Sequence, residues 1–253
     1  MEIIEKRCVG FKIFNMEVNS LFFADDGMIF ANNKEEAERN IEIIQETSLK
    51  YGLEINTSKS NIIIFNKKED FNELMGIKVV DQIKYLGVTI INKRNIFSKY
   101  IEEKIAKAKR LERITYSIIE KSCNRMTIGK VYWKNICLPA ILNSFDIMTV
   151  KKKDINGLQT IENNVYRKIL RAPSYTPIGA LRGEVGSSLM STRMMKGKLT
   201  YFRGFFNRNN ELLKEIAANP KCKLTKEVDI VLQELGISKI DLMNGSINDI
   251  KRK

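Results

Sequence analysis

Phe23-Ala24-Asp25-Asp26 is the stretch that decides how this chain folds. The run before it, Asn15-Met-Glu-Val-Asn-Ser-Leu-Phe-Phe23, ends in a strand with Val18 and Phe22 on one face and Leu21 and Phe23 on the other. Gly27 lets the chain turn back into Met28-Ile-Phe-Ala31, a short apolar strand bounded by Asn32 and Asn33. The spacing predicts a hairpin of residues 18–23 and 28–32 with Asp25 and Asp26 at its tip. Two carboxylates placed there offer oxygen ligands to a divalent metal. Paired aspartates also occur on ordinary solvated turns, and it is the apolar strands on both sides that favour the metal.

Downstream, Asn33 and Glu36 form a capping-box pattern, and Ala37, Ile41, Ile44 and Ser48 recur at helical spacing until Gly52 stops the helix near Tyr51. Leu53-Glu-Ile-Asn56 and Asn61-Ile-Ile-Ile-Phe-Asn66 read as strands joined by the polar turn Thr57–Ser60. A further strand pair is expected at Ile77–Val80 and Ile83–Ile90. The order of Phe-Ala-Asp-Asp, a helix, Gly52-Leu-Glu-Ile-Asn-Thr-Ser-Lys-Ser60 and Tyr85-Leu-Gly-Val88 resembles the palm of reverse transcriptases from retrotransposons that lack long terminal repeats. The stretch 151–206, with Leu158-Gln-Thr-Ile-Glu162, Arg167-Lys-Ile-Leu170 and Ala180-Leu-Arg-Gly-Glu-Val-Gly186, is similar to the region downstream of that catalytic domain. The resemblance covers most of residues 10–206.

This resemblance implies an enzyme that copies RNA into DNA on an RNA template and a DNA primer, with Mg2+ or Mn2+ as cofactor. It places Asp25 on the catalytic metal and Asp26 as a secondary ligand or turn acceptor. Lys59 falls where related polymerases set a lysine near the phosphates of the incoming nucleotide, able to stabilise developing charge or donate a proton; a solvated turn lysine is the alternative. Asn56 fixes that turn through its amide. Tyr85, Leu86 and Gly87 resemble the primer grip, where glycine permits close backbone approach; otherwise Gly87 is a strand position beside a bulge.

The family's fingers and first catalytic aspartate motif precede the Asp-Asp hairpin, and about twenty residues stand before Phe23 here. Two-metal catalysis needs carboxylates bridging ions roughly 4 Å apart, so weak metal binding and inactivity in isolation are expected. Glu2–Lys6 would then end a truncated palm helix. The expectation is a fragment of an RNA-directed DNA polymerase. The alternatives are a polymerase completed in trans, a non-catalytic RNA- or DNA-binding remnant, or a fossil fragment without function.

Composition points the same way. The 253 residues are 43% hydrophobic and carry a formal net charge of +13. Residues 1–97 hold 13 Lys and Arg against 15 Asp and Glu, leaving 30 basic and 15 acidic residues after them. Basic surface of that kind neutralises phosphates without reading sequence, although a merely solvated basic face has the same composition. The candidates are Lys99, Lys104, Lys107, Lys109, Arg110 and Arg113, all on one helix capped by Ser98. Its apolar stripe, Ile101, Ile105, Ala108, Leu111, Ile114 and Ile118, belongs to the core.

A second helix spans about 127–145 with Trp133, Cys137 and Ile141, divided or kinked at Pro139. Lys151–Lys153 marks a loop before a third, capped by Asp154, with Leu158, Ile161, Val165 and Ile169 inward. Thr176-Pro177 starts a short helix, and Ser188 precedes a longer one through Met190, Met194, Leu199, Phe202 and Phe206. Phe202 suits core packing better than stacking on bases.

Without histidine, the chain excludes His acid–base catalysis, Ser-His-Asp triads and Cys-His zinc sites of its own. Its four cysteines lack CxxC spacing and read as reduced thiols of a cytoplasmic or nuclear protein. No signal peptide or membrane-spanning run is evident. Lys251-Arg-Lys253 is an expected frayed tail. The fold class expected is α+β: a partial palm at 1–97 of antiparallel strands plus one packed helix, thumb-like helices at 98–150, and a helical basic region at 151–253.

Overall fold

A computed structural model describes residues 7–66 and 71–244. The expected helix at Glu2–Lys6 and the tail Lys251–Lys253 lie outside these residues. The class is α+β, with small, mainly antiparallel sheets first and helices after them. Contacts divide the chain into two units, Met1–Tyr100 and Ile101–Lys253.

In the first unit, β1 (Phe11–Ile13) pairs antiparallel with β2 (Met16–Val18), and β3 (Ser20–Phe23) with β4 (Asp26–Ile29). The expected single strand ending at Phe23 is therefore split at Asn19 between two hairpins. Gly10 makes the crossing possible: a Cβ there would sit 2.7 Å from the Val18 carbonyl carbon.

Helix α1 (Lys34–Lys50) is capped by Asn33, whose side chain accepts from the Glu36 amide at 2.8 Å. Glu36 reaches back to the Asn32 amide at 2.9 Å, one residue before the cap, and this backbone bond holds its carboxyl below the usual range. Ile41 and Ile44 are buried, Ala37 packing with Ile41 against Leu74 and Ile77 and Ile44 packing with Cys8 and Ile43, while Glu42 is exposed and Glu38 lies 3.9 Å from Lys34. Immediately before Ile41 lies Asn40, fully buried. It accepts from the Val9 amide at 3.0 Å and donates to the Val9 and Phe30 carbonyls at 2.8 and 3.1 Å. One amide thus ties both hairpin approaches to the helix and satisfies backbone groups that burial would otherwise orphan.

Leu53–Asn56 is not a strand, and Leu53 is exposed. The Asn56 carbonyl accepts from both Lys59 and Ser60 amides at 3.1 and 3.0 Å, which makes one helical turn and not a reversal. Strand β5 (Asn61–Ile62) instead runs parallel to β7 (Ile77–Val79), which pairs on its other edge with β6 (Glu73–Leu74). The expected strand 83–90 is itself a hairpin, β8 (Gln82–Tyr85) and β9 (Val88–Ile91). Leu86 and Gly87, at φ 46° and 79°, form the mirror-image turn whose twist suits a two-residue hairpin.

The second unit is helical. Helix α2 (Ser98–Glu120) buries Ile101, Lys104, Ala108, Thr115 and Ile119, so its inward stripe is rotated from the expected one and Ile114 is exposed. Helix α3 (Arg125–Tyr132), capped by Asn124, passes through a π-turn at Trp133–Cys137 into α4 (Leu138–Leu142). Pro139 explains the π-turn: it has no amide to donate and its ring crowds the carbonyl four residues earlier, which one wider turn relieves.

Helix α5 (Lys152–Leu170) starts from Lys151, so Asp154 sits in its first turn and not at the cap, and Lys152 and Lys153 are helical. There Asp154 complements the helix dipole. Leu158, Ile161, Val165 and Ile169 are buried as expected. Next come α6 (Ile178–Val185), preceded by Pro177 at its cap, and α7 (Met190–Asn207). Leu199, Phe202 and Phe205 of α7 pack with α8 (Glu211–Ala218), α9 (Lys223–Leu235) and α10 (Lys239–Asn244) around Ala217, Val228, Val231, Leu232 and Leu242. Phe202 is fully buried, so it is a core residue. All four cysteines are free, and among the described residues no helix is long and apolar enough to cross a membrane.

Candidate acidic hairpin and basic interface

The acidic tip is built by a two-residue connection. Phe23 pairs with Asp26 and Phe22 with Gly27, leaving Ala24 and Asp25 as the turn, with Ala24 at φ 54° in the left-handed region. Asp25 is therefore at the apex, and Asp26 is the first residue of the returning strand. Gly27 is not the turn residue the sequence suggested. It is a strand position over which the Phe22 ring lies, and a Cβ there would come within 2.6 Å of that ring. Phe22 in turn packs on Cys8, Ile43 and Ile44, anchoring the hairpin to α1.

Cross-strand partners share a face, so Leu21, Phe23, Met28 and Asp26 lie opposite Phe22. Leu21 is 43% and Phe23 65% exposed, so an apolar face lies open beside the acidic tip. The carboxylates of Asp25 and Asp26 are exposed, and Asp25 has no hydrogen bond or ion pair among the described residues. The Tyr85 hydroxyl donates to the Leu21 carbonyl at 3.3 Å, joining the β8–β9 hairpin to the acidic one. Burial, and then the Asp26 charge, push the Tyr85 phenol above its ordinary value.

Leu86 and Gly87 are turn residues and not strand residues, with Leu86 half exposed. Lys59 is exposed in the Asn56 turn. Its backbone amide is held by the Asn56 side chain at 3.1 Å, and among the described residues no partner holds its ammonium. Asn56 thus fixes that turn as expected.

Two carboxylates do not complete a magnesium site, which takes near-octahedral oxygen ligation. Among the described residues no third Asp, Glu, Cys or His joins Asp25 and Asp26. The hairpin fits one side of a metal cage and not a whole one.

On α2, Lys99, Lys109, Arg110 and Arg113 are exposed and Lys107 is half-buried. Lys104 is a correction. It is 8% exposed and its ammonium donates to the Ala140 carbonyl at 2.9 Å, because position 104 falls on the inward side of the helix between Ile101 and Ala108. Lys198 is likewise buried, paired with Glu227.

Sequence reasoning missed one polar centre. Glu162 is fully buried on α5, paired with Arg182 and Arg193, and accepts from Tyr166 at 2.7 Å. The available signal was a carboxylate inside the inward arc of α5, beside Ile161 and one turn from Leu158 and Tyr166.

An Asp-tipped hairpin is thus packed on one helix and touched by a second hairpin. Residues 1–90 match the family described as reverse transcriptase (RNA-dependent DNA polymerase), so this part of the chain is reverse-transcriptase-like. No curated protein matches the chain.

Proposed function

We propose that the chain is a reverse-transcriptase-type polypeptide, of the kind found in retrotransposons without long terminal repeats, that engages an RNA template and a DNA primer. The observation that carries this reading is Asp25 at the apex of the β3–β4 hairpin within the matched residues. In this reading Asp25 faces a divalent ion, Mg2+ or Mn2+, and Asp26 is its secondary ligand. Lys59 meets the phosphates of a nucleotide, and Tyr85, Leu86 and Gly87 lie at the primer end. The exposed cations of α2 hold the nucleic-acid backbone.

Nucleotidyl transfer needs carboxylates around two ions, and in this reading Asp25 and Asp26 supply one side of that cage. The chain by itself is therefore expected to bind a primer–template without extending it. Fluorescence anisotropy with a labelled RNA–DNA primer–template, followed by primer extension with Mg2+ or Mn2+, tests both halves. Absence of binding at low salt would sink the reading. Incorporation by the purified chain that Asp25→Ala abolishes would overturn the expected inactivity and keep Asp25 in its role.

A further inference from the structure

The second unit contains a basic depression where two helix ends meet. Two adjoining clefts, of about 660 and 550 Å³, share Arg125 and Arg171; the first also takes in Cys123 and Asn124, the second Asn164 and Arg167. Both are shallow and widely open to solvent, so they would receive part of an extended ligand at the surface. No carboxylate lines either cleft.

The charges there are only partly matched: Glu120, which pairs with Lys168 at 2.6 Å, also acts at longer range on Arg125, so one carboxylate faces several cations. Arg125 is oriented by its Nη2, which donates to the Lys168 carbonyl at 3.1 Å, yet its Nε and that of Arg167 are buried without a hydrogen-bond partner. Among the described residues, no ion pair forms at Arg125, Arg167 or Arg171. Lys168 differs: it sits 2.6 Å from Glu120 and 5.5 Å from the Tyr116 ring, and is already neutralised. Three guanidinium groups lining the same clefts, with Glu120 shared between Arg125 and Lys168, leave an excess of positive charge that an entering anion relieves. Their planar donor forks match the oxygens of a phosphate in a way that a lysine does not. The first cleft also reaches the start of α3, where the positive end of the helix dipole favours the same charge.

We propose that Arg125, Arg167 and Arg171 form a binding site for a backbone phosphodiester of a nucleic-acid strand. The inference rests on the nucleic-acid reading above and gives it a second contact, distinct from the exposed cations of α2.

Cys123 supplies a local reporter, since it is exposed and lines the cleft, whereas Cys8 and Cys137 are buried and Cys222 is half-buried. The full chain is alkylated with iodoacetamide, with and without a labelled twenty-nucleotide single-stranded RNA, and each cysteine is followed by peptide mass mapping. The RNA is expected to slow alkylation of Cys123 several-fold and leave Cys222 unchanged. Arg167→Gln with Arg171→Gln, leaving the anchored Arg125 in place, should remove that protection. It should also weaken RNA binding roughly tenfold and make the slope of log affinity against log salt shallower by about 1 to 2. RNA that binds the wild-type chain with Cys123 unprotected, or binds both chains alike, overturns this site and leaves the nucleic-acid reading standing. No binding by the wild-type chain at low salt overturns that reading and this site together.

Discussion

Glu162 and Arg182 meet in a buried ion pair: Arg182 Nη2 lies 2.5 Å from Glu162 Oε2, with the Glu162 side chain fully buried and that of Arg182 7% exposed. Each belongs to a different stretch singled out by its sequence, Leu158–Glu162 and Ala180–Gly186. The fold brings the two together between α5 and α6. Arg193 from α7 closes the group on the second carboxylate oxygen, and Ser187 bridges Tyr166 to both arginines. Three helices thereby share one anion.

Removing that anion should be costly, because two guanidinium groups would be left buried without a counterion. Glu162→Gln is expected to destabilise the second unit by about 3–5 kcal/mol, the scale for breaking one side of a buried pair. Urea unfolding followed by far-UV circular dichroism measures it. A loss under about 1 kcal/mol would show that water reaches the arginines and that the group is not structural.

The Phe22–Gly27 contact makes a prediction about the acidic hairpin. A methyl at position 27 would lie 2.6 Å from the Phe22 ring, so Gly27→Ala should cost about 1–3 kcal/mol by overpacking. Pairing it with Phe22→Leu should recover part of that loss, since the ring is what the methyl meets. Equal and additive costs in the double mutant would place the strain elsewhere.

On α2, the exposed cations and the buried one should separate cleanly. Lys109→Glu, Arg110→Glu and Arg113→Glu together should weaken binding to unrelated RNA and DNA sequences alike and flatten the salt dependence, because phosphate contacts carry no base information. Lys104→Met should leave binding unchanged and alter thermal stability, since its ammonium is tied to the Ala140 carbonyl. Anisotropy titrations at several salt concentrations decide. Loss of binding in Lys104→Met without loss of stability would contradict this assignment.

Glu36 predicts a pH dependence with a definite sign. The Asn32 backbone bond lowers its folded pKa below the ordinary value of 4.5. A carboxylate depressed in this way adds stability that is fully present above the unfolded pKa and fades as pH falls through the folded one. The stability difference between wild type and Glu36→Gln should therefore be constant above about pH 5 and shrink on acidification below about pH 4.5. A difference that grows on acidification would reverse the sign and reject the cap.

Much of this was legible from local pattern. The Asn33 cap, the inward isoleucines of α1, the apolar stripe of α5 and the hairpin at Asp25 follow from periodicities of two and 3.6 and from turn chemistry, which act over a few residues. The strand read at 53–56 does not form, because an extended segment becomes a strand only when a partner edge is available, and β7 pairs with β5 instead. The hairpin at 82–91 was hidden because Tyr85-Leu-Gly-Val88 alternates like a continuous strand until left-handed φ values at Leu86 and Gly87 reverse it.

By itself the sequence determined the α+β class, the basic second part and the acidic hairpin, since composition and spacing carry those directly. Tertiary structure decided which charges are available. A helix position reveals a lysine's side of the axis only after the core has set the rotation, so Lys104 turned inward while Lys109 and Arg113 stayed out. It also decided which distant residues meet, as with Glu162 between Arg182 and Arg193, and with Asn40 beneath Val9 and Phe30. Such meetings depend on how helices and strands pack, a long-range outcome that no local spacing encodes.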